Sequence, residues 1–177
     1  MADDRELWDH IRRGDARAFD EFYRQNGTRL LRFLRQLLGN DSAAQDVTQE
    51  TFLHLWQRPN GFHPEKGPLR AYLFGIGRKR CVEWWRRGAV AEDSPSSIAS
   101  LSTRSTEESS LITDALARLD PDHRTLLWLR EVEGQSYEEL AQILDIPIGT
   151  VKSRLFTARE ELRRIWLGEG TRQQETP

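Results

Sequence analysis

Ser136-Tyr137-Glu138-Glu139-Leu140-Ala141-Gln142-Ile143-Leu144-Asp145-Ile146-Pro147-Ile148-Gly149-Thr150-Val151-Lys152-Ser153-Arg154-Leu155 is the stretch on which the reading of the fold turns. Ser136 followed three residues later by Glu139 is a capping box, so a short helix opens here and runs through Leu144. Asp145-Ile146-Pro147 is a tight turn, and a longer helix runs from about Ile148 to Trp166. A short capped helix, a turn and a longer helix with small residues near the joint form a helix-turn-helix. In the longer helix Val151, Leu155, Ala158 and Leu162 share the side that buries it. The opposite side presents Lys152, Ser153, Phe156, Thr157 and Glu160, with Arg154 and Arg159 flanking. Lys152 and Arg154 suit guanine edges or phosphates, Ser153 and Thr157 bond either, and Phe156 suits a thymine methyl. A plain helical hairpin with a solvated face is the alternative. The coincidence of cap, turn and polar face favours a reader of duplex DNA.

Working outward, Asp120 caps a helix striped by Leu126, Leu127, Leu129 and Val132 that stops before Gly134. Leu111, Ala115, Leu116 and Leu119 mark another helix ahead of Asp120-Pro121. Upstream, residues 89–108 are rich in serine and poor in large apolar side chains, which is the composition of a linker. Four more helices precede it. Leu7, Trp8 and Ile11 form a short one closed by Gly14; Ala18 to Leu38 forms a long one stopped by Gly39-Asn40. Asn40 and Asp41 offer caps for the third, Ser42 to about Gln57, and Pro68 opens the fourth, which runs to about Arg87. The expectation is an all-α chain of two small helical domains joined by a flexible linker: residues 1–88, a linker 89–108, a helix-turn-helix domain 109–167 and a disordered tail 168–177.

With 177 residues, 37% of them hydrophobic and 31% charged, the chain can build compact but not generous cores. No apolar run approaches the roughly 18 residues of a membrane span. The acidic start, Ala2-Asp3-Asp4, is the reverse of a secretory signal, and the single Cys81 excludes a disulfide framework and fits a reducing compartment. These features together predict a cytoplasmic protein. The net charge of −2 conceals a split: residues 1–88 carry +4 and residues 89–177 carry −6. Within the first half Arg70, Arg78, Lys79, Arg80, Arg86 and Arg87 face only Glu83, the footprint expected where phosphates are met, or else a solvated helix face.

The third helix aligns Asp46, Gln49 and Glu50 at i, i+3, i+4, with His54 four residues beyond Glu50, while Val47, Thr51 and Leu55 turn inward. A metal reading of that row lacks a second nameable ligand, so a solvated acidic stripe or a docking face for a basic partner is preferred. Trp84-Trp85 reads as a pair packing on the core, or else as a stacking platform for unpaired bases. There is no phosphate-cradling glycine loop, no paired-histidine zinc motif, and no histidine near Cys81. The chain therefore reads as a non-enzyme without cofactor or metal.

Three stretches resemble one family. Ala43-Ala44-Gln45-Asp46-Val47-Thr48-Gln49-Glu50-Thr51-Phe52-Leu53-His54-Leu55-Trp56 is similar to the core-binding helix of bacterial extracytoplasmic-function (ECF) sigma factors. Gly14-Asp15-Ala16-Arg17-Ala18-Phe19-Asp20-Glu21-Phe22-Tyr23 resembles their N-terminal signature, and the segment from Gly134 to Leu155 resembles their promoter-reading module. The resemblance implies that Asp46, Gln49 and Glu50 dock on core RNA polymerase. It implies that loop 58–67 and the following helix unpair the −10 element, and that the helix from Ile148 enters the −35 major groove. Core polymerase and promoter DNA are the implied partners, with room for an anti-sigma factor. Opening DNA costs a few kcal/mol per unstacked base, so an opener needs a base pocket and cations to hold the freed strand. Phe62 and His63, followed by Arg70, Arg78, Lys79 and Arg80, suit those two needs. A polymerase-independent helix-turn-helix regulator is the second reading, but it has no use for the acidic docking row. An RNA-binding adaptor would share the basic cluster and leave the paired-helix reader unexplained.

The linker sets a length constraint. Its twenty residues, Ala89 to Glu108, reach at most about 66 Å when extended and average only about 25 Å as a relaxed coil. Two modules gripping one promoter would need it drawn out, and its length would then limit the spacing between the two elements.

Overall fold

The computed structural model describes residues 4–58, 60–91, 115–116 and 118–167, and all regular elements among them are helical. The linker from residue 92 onward, most of the helix expected around Leu111 and the tail from residue 168 lie outside the described residues.

Helix α1 spans Asp4–Arg12, α2 Ala16–Leu38, α3 Asp41–Gln57 and α4 Leu69–Ala91, with a 3-10 turn at Pro64–Lys66. Local chemistry sets most of these limits. Asp15 caps α2, accepting from the Arg17 and Ala18 amides at 2.9 and 3.3 Å. Those two bonds, the Ala18 amide first, hold the Asp15 carboxyl below its ordinary range. Gly39, at φ 62°, closes α2 by donating to the Arg35 carbonyl, a left-handed position that a glycine occupies without strain. Of the two cap candidates for α3, Asn40 does the work, its side chain accepting from the Ala43 amide at 2.9 Å. The Leu69 amide at the start of α4 donates to Asp4 Oδ2 at 3.0 Å, so α1 caps a helix 65 residues away. α4 also outruns the expected stop at Arg87 and continues to Ala91.

α2, α3 and α4 pack on one another and α1 lies against α2. Leu30, Phe33 and Leu34 of α2, Leu55 of α3, and Leu69, Leu73 and Phe74 of α4 are fully buried, with Phe33 and Phe74 rings 5.2 Å apart. Thr51 is equally buried and bonds its hydroxyl back to the Val47 carbonyl at 2.6 Å, which satisfies the only polar atom it brings inside.

The second module runs through α5, Pro121–Leu127, a π-helical turn Trp128–Val132, α6, Tyr137–Leu144, and α7, Ile148–Trp166. Asp120 caps α5, as expected, but the helix anticipated as continuous to Gly134 widens into the π turn over its last five residues. The capping box closes in both directions: Glu139 N donates to Ser136 Oγ at 3.1 Å and Ser136 N to Glu139 Oε2 at 2.6 Å. Asp145 ends α6 at φ 58°, a left-handed turn residue whose amide bonds the Ala141 carbonyl. Leu126, Leu129, Leu140, Ile143, Val151 and Leu155 fill the core where α5, α6 and α7 meet.

The two modules touch. α6 lies along α4, where Gly75 lets the backbones approach: a Cβ added there would meet Ile143 Cα at 3.8 Å. Polar contacts frame this seam, with Arg70 Nη2 3.0 Å from Glu139 and 3.2 Å from Gln135, and Arg29 Nε 3.5 Å from Glu133.

Core and cap differ in cost. Phe74→Ala should lower unfolding free energy by about 3–5 kcal/mol, and Ser136→Ala by about 1 kcal/mol, both read by urea denaturation. A cap loss as large as the core loss would contradict this packing.

Candidate functional site

On α7 the packing divides the helix as its spacing requires. Val151, Leu155 and Ala158 are buried; Lys152, Ser153, Arg154, Phe156 and Thr157 are all exposed. Phe156 is 68% exposed, a large apolar ring presented to solvent in the middle of a cationic face. The hydroxyls of Ser153 and Thr157 donate to the Thr150 and Ser153 carbonyls at 3.0 and 3.1 Å. Their protons are spent on the helix, so toward a base edge both oxygens act as acceptors. The Lys152 ammonium stands 6.0 Å over the Tyr137 ring, and Arg159 is tied to Glu131 at 2.8 Å.

On α3, Asp46 and Gln49 are exposed and Glu50 is half-buried. Leu53 and Trp56 extend the same side as exposed apolar residues, and Trp56 packs edge-on against Phe19 with ring centroids 4.9 Å apart. His54 does not join a ligand row: its Nδ1 is 3.0 Å from Arg80 Nη2, and Glu50 Oε2 accepts from Arg80 Nη1 at 2.8 Å. Burial, then the positive charges of Arg80 and Arg58, lower the His54 pKa and keep the ring neutral. Among the described residues no group of three His, Cys, Asp or Glu side chains is placed to hold a metal ion.

The loop and the basic run differ from the expectation in two ways. Phe62 is 5% exposed, packed between Trp8 and Tyr72 with ring centroids 5.4 and 5.6 Å away. Long-range packing makes it a core residue, so it offers no face to a base here. His63 remains exposed and lines, with Gly61, Lys66 and Tyr72, one wall of a cavity of about 480 Å³ whose other wall is α6. The expected free cations are partly engaged. Arg70 binds Glu139 and Gln135, Lys79 lies 3.9 Å from Asp145, and Arg80 holds Glu50. Arg78 lines a second cavity of about 530 Å³ with Leu37, Trp84, Trp85 and Pro121. Of the tryptophan pair, Trp84 is half-buried and packs on the core while Trp85 is exposed. Cys81 is buried in α4, which pushes its thiol up to about 12 and leaves it no nucleophile.

Residues 22–90 match the family model for sigma-70 region 2, and residues 109–162 match that for sigma-70 region 4. The ECF RNA polymerase sigma factor SigL of Mycobacterium tuberculosis (strain ATCC 25618 / H37Rv) is 34% identical over 149 residues, covering 80% of this chain and 84% of the relative. The chain belongs to the ECF sigma factors.

Further relatives of this ECF sigma factor include the sigma-H factor of Pseudomonas aeruginosa (strain PAO1), 30% identical over 177 residues and covering 90% of this chain and 91% of that one. Its fold is similar to CnrH solved in complex with the cytosolic domain of CnrY, at TM-score 0.71 and 26% identity over 95% of this chain and 99% of the other. It is equally similar to the sigma factor RpoE solved with the anti-sigma factor NepR from Bartonella quintana, at TM-score 0.71 and 28% identity over 87% and 98%. As a sigma factor it directs RNA polymerase to promoters.

Several residues around these surfaces escaped the sequence reading. Tyr72 and Lys66 stand beside His63, and Leu53 and Trp56 beside the acidic row. Leu53 and Trp56 were within reach, since both fall on the outward side that Asp46, Gln49 and Glu50 define. Arg29, Glu133 and Gln135 were not: their pairings span 65 to 104 residues, and nothing local signals them.

The seam is mixed: one buried apolar cluster runs through both modules, and Arg70, Gln135, Glu139, Arg29 and Glu133 frame it. Gly75→Leu should wedge α6 from α4 and raise the radius of gyration in small-angle scattering. Gly75→Ala should not, because a Cβ at 3.8 Å is an ordinary contact. An unchanged radius for the leucine variant would contradict the seam.

Proposed function

We propose that this sigma factor divides promoter recognition among three surfaces. Asp46, Gln49 and Glu50, continued by the apolar Leu53 and Trp56, dock on core polymerase. A helical partner bearing cations and apolar side chains would complement that strip. His63, with Tyr72 and Lys66, receives an unpaired base of the −10 element, while Arg70, Arg78, Lys79 and Arg80 hold the phosphates of the freed strand. Lys152, Ser153, Arg154, Phe156 and Thr157 read the −35 element in the major groove. Phosphodiester chemistry belongs to the polymerase, which also places this chain in the cytoplasm. The similarity to RpoE, solved with the anti-sigma factor NepR, supports an anti-sigma factor as a partner here as well.

The observation that carries this reading is the exposure of all five recognition residues on α7, together with a row of exposed Asp46 and Gln49 and half-buried Glu50 on α3 in the same chain. A polymerase-independent regulator would need the first surface and not the second. The seam between modules adds a step. Elements at −10 and −35 lie about 25 base pairs apart, or about 85 Å along B-DNA at about 3.4 Å per pair. With Arg70 in contact with Glu139 the two modules are held against each other, and in this reading α6 leaves α4 when both elements are engaged.

Each surface has its own test. Asp46→Arg should weaken core association more than tenfold in co-purification, because like charge set against a basic partner costs more than truncation. Lys152→Ala should cost about 1–3 kcal/mol on −35 duplex binding by the holoenzyme. His63→Ala should spare that binding and reduce permanganate reactivity of −10 thymines. Normal opening by the His63 variant would remove it from base capture.

A further inference from the structure

Arg80 stands where the docking and melting surfaces meet. It belongs to the basic run of α4, yet its guanidinium turns back onto α3, donating to Glu50 Oε2 at 2.8 Å and to His54 Nδ1 at 3.0 Å. The site lies at the edge of the surface: the Arg80 side chain is 23% exposed and that of Glu50 44%. Its bonding is also incomplete, since Arg80 Nε has no acceptor. The neutral His54 ring supplies a lone pair rather than a charge, so Glu50 alone neutralises the guanidinium at contact distance. The carboxylate that would meet a polymerase cation is thus the one that holds a phosphate-binding cation of the next helix.

Resting on the docking role of Glu50 above, we propose that Arg80 couples polymerase docking to capture of the melted strand. In the free chain Glu50 and His54 hold Arg80 against α3. A polymerase cation that takes Glu50 weakens this hold, and the guanidinium becomes available to a phosphate next to Lys79. One carboxylate shared between two cations binds each less tightly, so the exchange needs no change of fold. By linkage, single-stranded DNA bound at Arg80 raises the affinity of Glu50 for polymerase by the same factor. A pair that merely braces α3 against α4 would have no such effect on DNA binding.

The test uses the full chain and a fluorescein-labelled 12-nucleotide single-stranded DNA of mixed sequence, titrated across salt concentrations. Glu50→Gln, nearly isosteric, should bind it about fivefold tighter, with the slope of log K against log salt steeper by about 0.7, the signature of one added phosphate contact. Asp20→Asn removes the same charge from α2, where its partner is Arg24, and should give less than half that gain. Adding Arg80→Gln to Glu50→Gln should abolish the gain. A Glu50→Gln chain that binds no tighter than wild type, or a gain that survives Arg80→Gln, overturns the proposal. If Glu50→Gln melts early, His54→Ala severs the other bond and should give a smaller gain of the same kind; no gain there is equally contradictory. Core affinity, measured in parallel, should fall for Glu50→Gln. Equal core affinity would overturn the docking role of Glu50 and the trigger with it, separately from the lock that the oligonucleotide reads.

Discussion

Helix α4 has to satisfy three neighbours at once, and the rest of the structure follows from how it does so. One side, through Leu73 and Phe74, closes the first module's core. Another, through Gly75, admits α6 of the second module to near backbone contact. Arg70 and Lys79 emerge where α4 meets the second module and Arg80 where it meets α3, and none of the three can be buried unpaired. Gly77 tightens the first constraint further, since a Cβ there would press on Leu30 Cδ1 at 3.1 Å. A helix so crowded leaves little freedom in where its cations emerge.

The chain resolves the conflict by lending each cation a carboxylate or amide from elsewhere. Glu139 and Gln135 serve Arg70, Asp145 stands near Lys79, and Glu50 serves Arg80. Two of these carboxylates come from the helix-turn-helix and one from α3. Partial exposure keeps such pairs weak enough to exchange, as surface ion pairs contribute little to stability. The free protein therefore presents less positive charge to DNA than the basic run suggests. In the mechanism we propose, engaging polymerase and parting the modules restores it and ties promoter affinity to assembly. The cationic face of α7 carries less restraint, because Lys152 and Arg154 are exposed.

What could be read in advance was whatever acts within three or four residues. The capping box at Ser136, the caps at Asn40 and Asp120, and the stripe of Val151, Leu155 and Ala158 are all short-range. The family motifs added the order of the modules. Phe62 misled because a loop aromatic looks exposed until Trp8, over fifty positions upstream, is brought against it. The ion pair of Arg80 escaped for a related reason: a cation in a basic run looks free until α3 folds back and supplies Glu50. The π turn at Trp128–Val132 interrupts a stripe that reads as one continuous helix, and periodicity alone does not distinguish the two.

Transcription reconstituted from purified core polymerase, this chain and fragmented genomic DNA, with the 5′ ends of the products mapped, is the most direct measurement of the account. Core with the chain should start transcripts at a small set of positions that share two upstream elements at fixed spacing. Neither component alone should do so, and the chain alone should bind those fragments weakly at physiological salt. Tight, sequence-specific binding of duplex fragments by the isolated chain, with start sites unchanged by its addition to core, would contradict the account.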